Sequence, residues 1–345
     1  MYKGVLLWIT LLLLVFVGNS SVITISSCNQ ELNLSYPLNE YSVNQSLTFS
    51  SGNCLNITSD NVKLNCNGHT ITGNNFSGSY AIYLNSVSYT NISNCHSRFF
   101  ERGFYLLNSN YNNISHSTSN FYPGNSWGFR LDSSDYNIFY NVSSSHKAFG
   151  YENYIGGSHS NVINYSAFND NSYGITLWSG NSGMVENFQT NNNSNYGIWI
   201  NSNDNLIRNG ESRNNGEGIR LYTSSGNDII NVNFVSNNNY DIWFRTWDPG
   251  NPGTYSINNN FSNNSITNAS LVSGNFNFEN NTIVGNTYLL NGSGTLCFPP
   301  GLEYLCDINP IYSLSVTSQV ISTNSIFYNG NIFIALLGIV LYLML

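Results

Sequence analysis

A four-residue motif, in which a small residue is followed by apolar, variable and apolar positions, recurs eight times along the chain. The copies are spaced 21 to 25 residues apart and begin at Ala81, Gly103, Gly128, Gly150, Gly174, Gly197, Gly218 and Asp241. Self-similarity at this period indicates a repeat architecture, in which each copy buries its apolar face only by stacking on its neighbours. Matching positions of successive copies then align in columns.

Each repeat carries two further short apolar segments. The second segment begins 8 to 11 residues after the first residue of the motif, at Asn91, Asn113, Asn137, Asn161, Met184, Asn205 and Asp228. A third apolar position follows, as at Phe168, Phe188 and Phe234. Three short strands per roughly 22 residues, without a helical period, predict an all-β fold, a parallel β-helix of about ten coils over residues 61–290.

The asparagines of the second segment form a predicted internal ladder. Stacked amides donate and accept hydrogen bonds along the axis, so they satisfy backbone groups in the turns. The proposed members are Asn91, Asn113, Asn137, Asn161 and Asn205. Asn91 and Asn113 also lie in Asn-x-Ser/Thr glycosylation motifs, and inward-pointing side chains there would carry no glycan.

Composition excludes one class of partner. Charged residues make up 8% of the chain, and the formal net charge is −8. Nucleic acid binding needs a basic surface that displaces counterions from phosphates, and no basic stripe is present. With 41% hydrophobic residues, the chain nevertheless has enough apolar material for a core.

Both ends of the chain are apolar. Lys3 and the run 5–17 predict a signal peptide over residues 1–21, with an uncleaved anchor as the alternative. Residues 332–345 predict a membrane tail after a Ser/Thr/Asn-rich spacer, 311–331. A removed sorting tail or a cap strand is the alternative for that segment. The predicted location is extracellular, at the cell surface and membrane-anchored.

Six cysteines lie between these ends, an even number that suggests disulfides in an exported protein. Cys297 and Cys306 flank a turn-rich loop and are predicted to clip a C-terminal cap, 291–310. Residues 22–60 are predicted as an N-terminal Cys-bearing cap. The other four cysteines allow three connectivities, of which 28–54 with 66–95 is one. These four are Cys28, Cys54, Cys66 and Cys95.

The variable positions of the motif strand point outward, because its apolar residues point inward. They form two predicted columns rich in aromatic residues and arginine. Sugar rings stack on aromatic faces, so this face is a predicted glycan platform. Stabilisation of the sheet by stacked aromatics is the alternative. The predicted binding residues are Tyr83, Tyr105, Arg130, Trp178, Trp199, Arg220, Tyr222, Trp243 and Arg245.

Asp132 and Glu152 are the candidate catalytic residues. They lie on adjacent coils in neighbouring outward columns, at a separation compatible with the carboxyl pairs of glycosidases. A general acid needs a raised pKa, whereas the neighbouring Arg130 is expected to favour ionisation. No cofactor is predicted. The sequence contains no Cys-x-x-Cys pair, so a cysteine-rich metal site is not predicted either. Two insertions, 122–127 and 246–253, are expected to project beside the face.

The segment Asn61-Val-Lys-Leu-Asn-Cys-Asn-Gly-His-Thr-Ile-Thr-Gly73 resembles the opening coil of right-handed parallel β-helix repeat proteins. That group includes NosD-type proteins and the carbohydrate-binding and sugar-hydrolase (CASH) domains. With the repeats, the resemblance covers about residues 54–290. It implies a right-handed fold but not one function, because the group contains lyases, hydrolases, epimerases and surface proteins.

Three functions therefore stay open. The sequence favours a membrane-tethered surface β-helix that contacts glycans or neighbouring surface molecules. The first alternative is a polysaccharide hydrolase, lyase or epimerase that uses the same face. The second alternative is a passive surface-coat protein.

Overall fold

The computed structural model describes residues 21–35, 39–154, 156–245, 259–266, 282–284, 287–289 and 311–313. Every regular element in these ranges is a β-strand. None of the described segments forms a helix with the length and apolar character needed to cross a membrane. Nearly all of the predicted signal segment, the Cys297–Cys306 loop and the apolar tail lie outside the described residues.

The first sixteen described strands lie between residues 21 and 145. They are β1 (Ser21–Ile25), β2 (Gln30–Leu32), β3 (Asn39–Val43), β4 (Leu47–Thr48), β5 (Asn53–Ile57), β6 (Lys63–Asn65), β7 (Thr70–Thr72), β8 (Tyr80–Asn85), β9 (Asn91–Ser93), β10 (His96–Arg98), β11 (Arg102–Leu107), β12 (Asn113–Ser115), β13 (Thr118–Asn120), β14 (Trp127–Asp132), β15 (Ile138–Tyr140) and β16 (Ser143–Ser145).

The remaining described strands continue the pattern of three short strand segments per coil. They are β17 (Phe149–Asn153), β18 (Val162–Asn164), β19 (Ala167–Phe168), β20 (Tyr173–Leu177), β21 (Met184–Glu186), β22 (Gln189–Asn191), β23 (Tyr196–Ile200), β24 (Leu206–Arg213), β25 (Glu217–Tyr222), β26 (Asp228–Val235), β27 (Tyr240–Arg245), β28 (Asn260–Ser262), β29 (Ser265–Ile266), β30 (Thr282–Val284), β31 (Thr287–Leu289) and β32 (Ile311–Ser313).

The strands stack in three parallel sheets that wind as a β-helix, as the sequence predicted. Sheet 1 contains β2, β5, β8, β11, β14, β17, β20, β23, β25 and β27. Sheet 2 runs from β1 and β3 through β6 to β30, and sheet 3 runs from β4 and β7 to β32. β24 and β26 turn the corner without a break and so join sheets 2 and 3. The predicted N-terminal cap, residues 22–60, overlaps strands β1 to β5, which belong to these same stacks.

The core is a continuous column of apolar side chains inside the coils. Ile82, Phe104, Phe129, Tyr151 and Ile175 align in register on successive strands of sheet 1 and are all fully buried. The rings of Phe104 and Phe129 stack with centroids 4.8 Å apart. Because each side chain packs on its counterpart in the next coil, a single motif repeated along the chain builds the whole core.

The small residue of each motif marks the corner where sheet 1 begins. At Gly128, a Cβ atom would collide with the side chain of Ser144 and with the carbonyl oxygen of Gly150. The backbone of one coil therefore approaches its neighbours too closely for a larger residue. This contact explains why the motif needs a small residue at that position.

Each coil turns its corners on single residues with positive φ, a conformation in which Asn is enriched among non-glycine residues. The corner between sheets 2 and 3 shows this pattern best. Its residues have φ between 49° and 55° and are Asn94, His116, Asn141, Tyr165, Asn187, Asn209, Asn231 and Asn263. One left-handed residue per corner bends the chain while its side chain stays on the outside.

Buried asparagines form a ladder, but the predicted register was wrong at its start. Asn112, not Asn113, lies in the ladder, because Asn113 pairs with Asn91 and Ile138 on the outer side of sheet 2. Asn91 is exposed, so the argument against glycosylation of Asn91 and Asn113 no longer holds. In the ladder, each Oδ1 accepts the backbone N–H of the preceding coil at 2.7–3.0 Å. Its members are Asn112, Asn137, Asn161, Asn205, Asn227 and Asn259.

A second buried ladder, which the sequence reading missed, lines the corner between sheets 3 and 1. Asn171, Asn193, Asn215 and Asn237 bond to one another through backbone N–H and side-chain Oδ1 atoms at 2.8–3.0 Å. Lys147 occupies the next position and donates its backbone N–H to Asn171. The buried backbone N–H groups along this ladder are thereby paired.

Two disulfides tie the first coils together. Cys28 bonds to Cys54, and Cys66 bonds to Cys95. This is one of the connectivities left open by the sequence, and each bond links residues one coil apart. Since they close loops near the open end of the solenoid, they restrict fraying of the terminal coils.

Tyr151→Phe is expected to raise the stability of the protein. The Tyr151 hydroxyl is completely buried in the core and has no hydrogen-bond partner among the described residues. Removing an unpaired buried hydroxyl avoids a desolvation cost of about 1 kcal/mol or more. Urea unfolding should show the gain. Tyr105→Phe is the matched control and should lose stability, because the Tyr105 hydroxyl donates to Asp132. A loss of stability with Tyr151→Phe would show that the Tyr151 hydroxyl does have a stabilising partner.

Asn215→Ala is expected to destabilise the solenoid by roughly 2 kcal/mol or more, since two buried backbone groups lose their partners. Asn215 Oδ1 accepts from the Asn193 N–H at 2.8 Å, and its Nδ2 donates to the Thr190 carbonyl at 2.7 Å. Thermal and urea unfolding measure the loss. Asn233→Ala, at a half-buried strand position, should have a much smaller effect. Equal losses would mean that the ladder contributes no special stability.

Candidate functional site

The outward side of sheet 1, called the sheet 1 face below, carries the predicted columns in the predicted register. One column is Tyr83, Tyr105, Arg130, Glu152, Thr176, Trp199, Arg220 and Trp243. The pairing also aligns Asn85, Leu107 and Asp132, and it aligns Tyr222 with Arg245. The side chain of Arg245 lies outside the described residues.

A third outward column escaped the sequence reading. It contains Tyr80, Arg102, Trp127, Phe149, Tyr173, Tyr196, Glu217 and Tyr240. These residues precede the small residue of each motif, which is skipped in the strand pairing. The skip works like a bulge and breaks strict alternation, so side chains on both sides of it point outward. The aromatic or charged residue before each small residue was the available signal.

The sheet 1 face is a packed layer rather than the flat, exposed platform that was predicted. Tyr105, Arg130, Arg220 and Tyr222 are buried although they point away from the core. Tyr83, Trp178, Trp199 and Trp243 are half-buried. Neighbouring side chains cover one another, as when the Trp178 and Trp199 rings meet edge-on at 4.5 Å. Only part of each of these eight predicted binding residues therefore reaches solvent.

Arginines hold this layer together by lying against aromatic rings. The guanidinium carbon of Arg130 lies 4.5 Å from the Trp127 ring centroid and 4.6 Å from that of Tyr154. Arg220 lies 3.8 Å from both Tyr196 and Trp243. Such contacts contribute roughly 0.5–2 kcal/mol each and fix the direction of the guanidinium groups.

Asp132 and Glu152, the two predicted catalytic residues, share the guanidinium of Arg130. Arg130 Nε lies 3.2 Å from Asp132 Oδ2, and its Nη1 lies 3.4 Å from Glu152 Oε2. Tyr105 completes the cluster by donating its hydroxyl to Asp132 Oδ2 at 2.7 Å. The structure therefore brings both carboxyl groups together at one point of the sheet 1 face. Arg130, Asp132, Glu152 and Tyr105 are called the carboxyl cluster below.

Glu152 has the environment of a protonated acid. Burial raises the pKa of its carboxyl from 4.5 to about 7, although the positive charge of Arg130 opposes the shift. Only 3% of the residue is exposed, and Oε2 makes no hydrogen bond of normal geometry. Arg130 favours ionisation of Glu152, as expected, but desolvation by burial outweighs this effect and leaves the pKa raised. Burial and the bond to Asp132 also raise the pKa of Tyr105.

A cleft adjoins the carboxyl cluster at Trp127. The first insertion, 122–127, forms one wall of this cleft, as predicted for a loop beside the face; the second insertion lies outside the described residues. The cleft has a volume of about 260 Å³ and is lined by Ser77, Glu101, Tyr122, Pro123, Asn125 and Trp127. Mixed aromatic and polar lining of this kind suits a sugar ring.

Lys147 lies buried next to this region. Its ammonium donates to the carbonyl oxygen of Phe100 and lies 5.5 Å from the Tyr122 ring. Burial lowers the pKa of Lys147 to about 7, and the negative charge of Glu101 partly offsets the shift. In the described ranges, no three His, Cys, Asp or Glu side chains converge on a point that suits a metal ion.

Comparison with protein families identifies the fold. Residues 117–261 match the family described as "Right handed beta helix region". The chain contains a right-handed β-helix. The resemblance noted in the sequence is therefore confirmed, and the three-sheet winding described above belongs to this class of solenoid.

Solved structures with the same fold include several enzymes. The A-module of the Azotobacter vinelandii mannuronan C-5 epimerase AlgE6 has a TM-score of 0.61 at 14% identity, covering 87% of this chain and 92% of its own. The periplasmic alginate epimerase AlgG has a TM-score of 0.52 at 14% identity, and the match covers 85% of this chain and 84% of the AlgG chain. The catalytic domain of a GH87 α-1,3-glucanase in complex with nigerose has a TM-score of 0.51 at 14% identity, and the match covers 87% of this chain and 63% of the glucanase chain.

No curated protein matches the sequence. At 14% identity the structural likenesses establish the fold and leave the activity to be argued from the residues of this chain.

Glu152→Gln is expected to remove a pH dependence of stability between about 4.5 and 7. A carboxyl whose folded pKa is raised contributes its full stability below the unfolded pKa of 4.5 and loses it as pH rises through about 7. Wild-type stability should fall across this window by on the order of 3 kcal/mol. The Gln variant, which stays neutral, should show a flatter profile.

Urea titrations at several pH values measure this difference. The opposite slope from Lys147, whose folded pKa is lowered to about 7, acts only above that pH. Glu186→Gln is the control, because Glu186 belongs to a more exposed ion pair on sheet 2. Parallel profiles for wild type and Glu152→Gln would show that Glu152 is ionised throughout.

Proposed function

We propose that this chain is a polysaccharide-active enzyme whose active site is the carboxyl cluster on the sheet 1 face. The observation that carries the proposal is the pair of carboxyl groups, Asp132 and Glu152, held on one guanidinium in different environments. Acid and base chemistry on a sugar needs at least two carboxyl groups, one that donates a proton and one that accepts a proton. The fold neighbours, which are a glucanase and two epimerases of polysaccharides by their names, support this choice over a passive surface role.

The environments of the two carboxyls assign their roles. Glu152 retains a proton up to about pH 7 and is the general acid. Asp132, which accepts hydrogen bonds from Tyr105 and Arg130, is the proton acceptor. Arg130 holds both groups in place, and its stacking between Trp127 and Tyr154 prevents it from swinging away.

The surroundings of the cluster provide contacts for a sugar chain. The half-buried rings of Tyr83, Trp178 and Trp199 lie on the same face, above and below the cluster along the axis. The cleft beside Trp127, next to the carboxyl cluster, adds to this contact surface. Ring edges and partly open faces contact the C–H groups of sugars, while the polar groups between them bond to hydroxyls.

An exported location is part of the proposal. The disulfides Cys28–Cys54 and Cys66–Cys95 favour an oxidising compartment. The signal-like N-terminus and the apolar C-terminus of the sequence point the same way and suggest a membrane tether at the cell surface. Binding of glycans without turnover is the second candidate function, favoured by the rings of Tyr83, Trp178 and Trp199, which keep part of their surface open to solvent.

The test is incubation of the full chain with a panel of polysaccharides, with products followed by reducing-end release, unsaturated-product absorbance and NMR. Asp132→Asn and Glu152→Gln are each expected to lower kcat by at least roughly a hundredfold, because each removes one proton-transfer group. Wild-type activity should fall as pH rises above about 7, where Glu152 loses its proton.

Glu186→Gln serves as the control, since it removes a carboxylate of an ion pair on sheet 2 with Arg208. It should retain wild-type kcat. Binding without any product, unchanged in both cluster variants, would reject the enzymatic role and leave glycan recognition. Turnover that persists in both cluster variants would move the active site elsewhere.

A further inference from the structure

Nearly every basic side chain in the described part of the molecule is already neutralised by a carboxylate. Of the eight Lys and Arg side chains described there, six make ion pairs. Their N···O distances range from 2.7 to 3.5 Å. The paired residues are Lys63, Arg102, Arg130, Arg208, Arg213 and Arg220.

The two remaining basic residues are poorly placed to bind an anionic ligand on the sheet 1 face. Lys147 is buried, and its side-chain nitrogen bonds to the Phe100 carbonyl. Burial lowers its pKa to about 7, so a large fraction of the Lys147 side chains is neutral at physiological pH. Arg98 lies on sheet 3, where it contacts the Phe99 ring and donates to Thr72. Neither supplies a positive charge beside Asp132 and Glu152.

The sheet 1 face repeats this pattern at each arginine whose side chain is described, namely Arg102, Arg130 and Arg220. Arg102 contacts Glu101 at 3.5 Å. Arg130 contacts two carboxyls, and Arg220 forms two hydrogen bonds to Glu217, at 2.9 and 2.7 Å. The chain as a whole has a formal net charge of −8. A polyanion would therefore meet compensated arginines and a repulsive field.

From this charge distribution we infer that the substrate is an uncharged polysaccharide and that the reaction is hydrolysis. The inference rests on the proposed function and narrows it. A polyuronate brings one carboxylate per sugar and needs cations to receive them. To provide one, an arginine would have to leave its carboxylate partner, which would then stay buried without compensation. Hydroxyl groups, by contrast, bond to carboxylates and amides without any rearrangement of charge.

The substrate class also restricts the chemistry. Elimination and C5 epimerisation both begin by removal of a proton next to a carboxylate. A neutral sugar has no carboxylate at that position, so neither reaction can start in this way. In hydrolysis, the bond between the anomeric carbon and the glycosidic oxygen breaks, and a bond from water to that carbon forms. Glu152 gives its proton to the departing oxygen, and Asp132 takes a proton from the water. Exchange with solvent then restores both carboxyls.

The test measures binding and turnover by the full chain on two matched sets of polymers. The neutral set contains α-1,3-glucan, β-1,3-glucan, mannan and xylan; the charged set contains polymannuronate and polygalacturonate. We expect a neutral polymer to bind at least roughly tenfold tighter than either polyuronate, with little change between low and high salt. Its products should carry new reducing ends and no unsaturated sugars.

A charge variant probes the cause of the selectivity. Glu217→Gln removes the carboxylate that Arg220 contacts, so it should raise polyuronate affinity in a salt-sensitive way while the stacking rings keep Arg220 in place. Glu186→Gln, on sheet 2, should leave the selectivity unchanged. If Glu217→Gln does not fold, the wild-type comparison of the two polymer sets decides alone.

The outcomes separate the two levels of the proposal. Preferred binding or conversion of a polyuronate by the wild-type protein would overturn the inference and leave the polysaccharide-active function intact. An absence of binding and turnover on both polymer sets, with a folded protein, would overturn the function as well.

Discussion

Equivalent residues of successive coils align along the axis of the solenoid, and this alignment determines how every layer of the protein packs. Backbone hydrogen bonds between successive coils, such as Asn113 N–H to the Thr90 carbonyl and Ile138 N–H to Asn112, hold each coil directly above the last. A residue therefore has its counterparts of neighbouring coils as its main contacts. The core column, the amide ladders and the charged clusters all follow from that arrangement.

Alignment concentrates both favourable and unfavourable contacts. Repeated apolar residues build a core and repeated asparagines satisfy the buried backbone, so a modest motif yields a long rigid body. Repeated charges of one sign would accumulate repulsion along a column. The sheet 1 face avoids this by placing arginines and carboxylates in contact, at Arg130 with Asp132 and Glu152 and at Arg220 with Glu217.

Much of this was predictable, because periodicity sets the winding and the strand register directly. The repeat predicted the parallel β-helix and aligned Arg130 with Glu152 correctly. Three details depended on local geometry that a pattern does not reveal. The skipped small residue concealed the column containing Trp127. The adjacent pair Asn112 and Asn113 left the ladder position ambiguous. The burial of Glu152, which outweighs the effect of Arg130 on its pKa, arises only when the side chains of three coils pack together.

Comparison within one column shows that the fold does not require a carboxyl group at the position of Glu152. The counterparts of Glu152 along the axis include Tyr105 and Thr176, so this position accommodates neutral side chains in the same fold. A buried carboxyl with a raised pKa costs stability at neutral pH, which a neutral residue would not. This cost falls on the coils of β14 and β17, beside the cleft formed by the 122–127 insertion. Local departures from the repeat that lower stability are expected where a solenoid carries its function, and here they coincide on one part of one face.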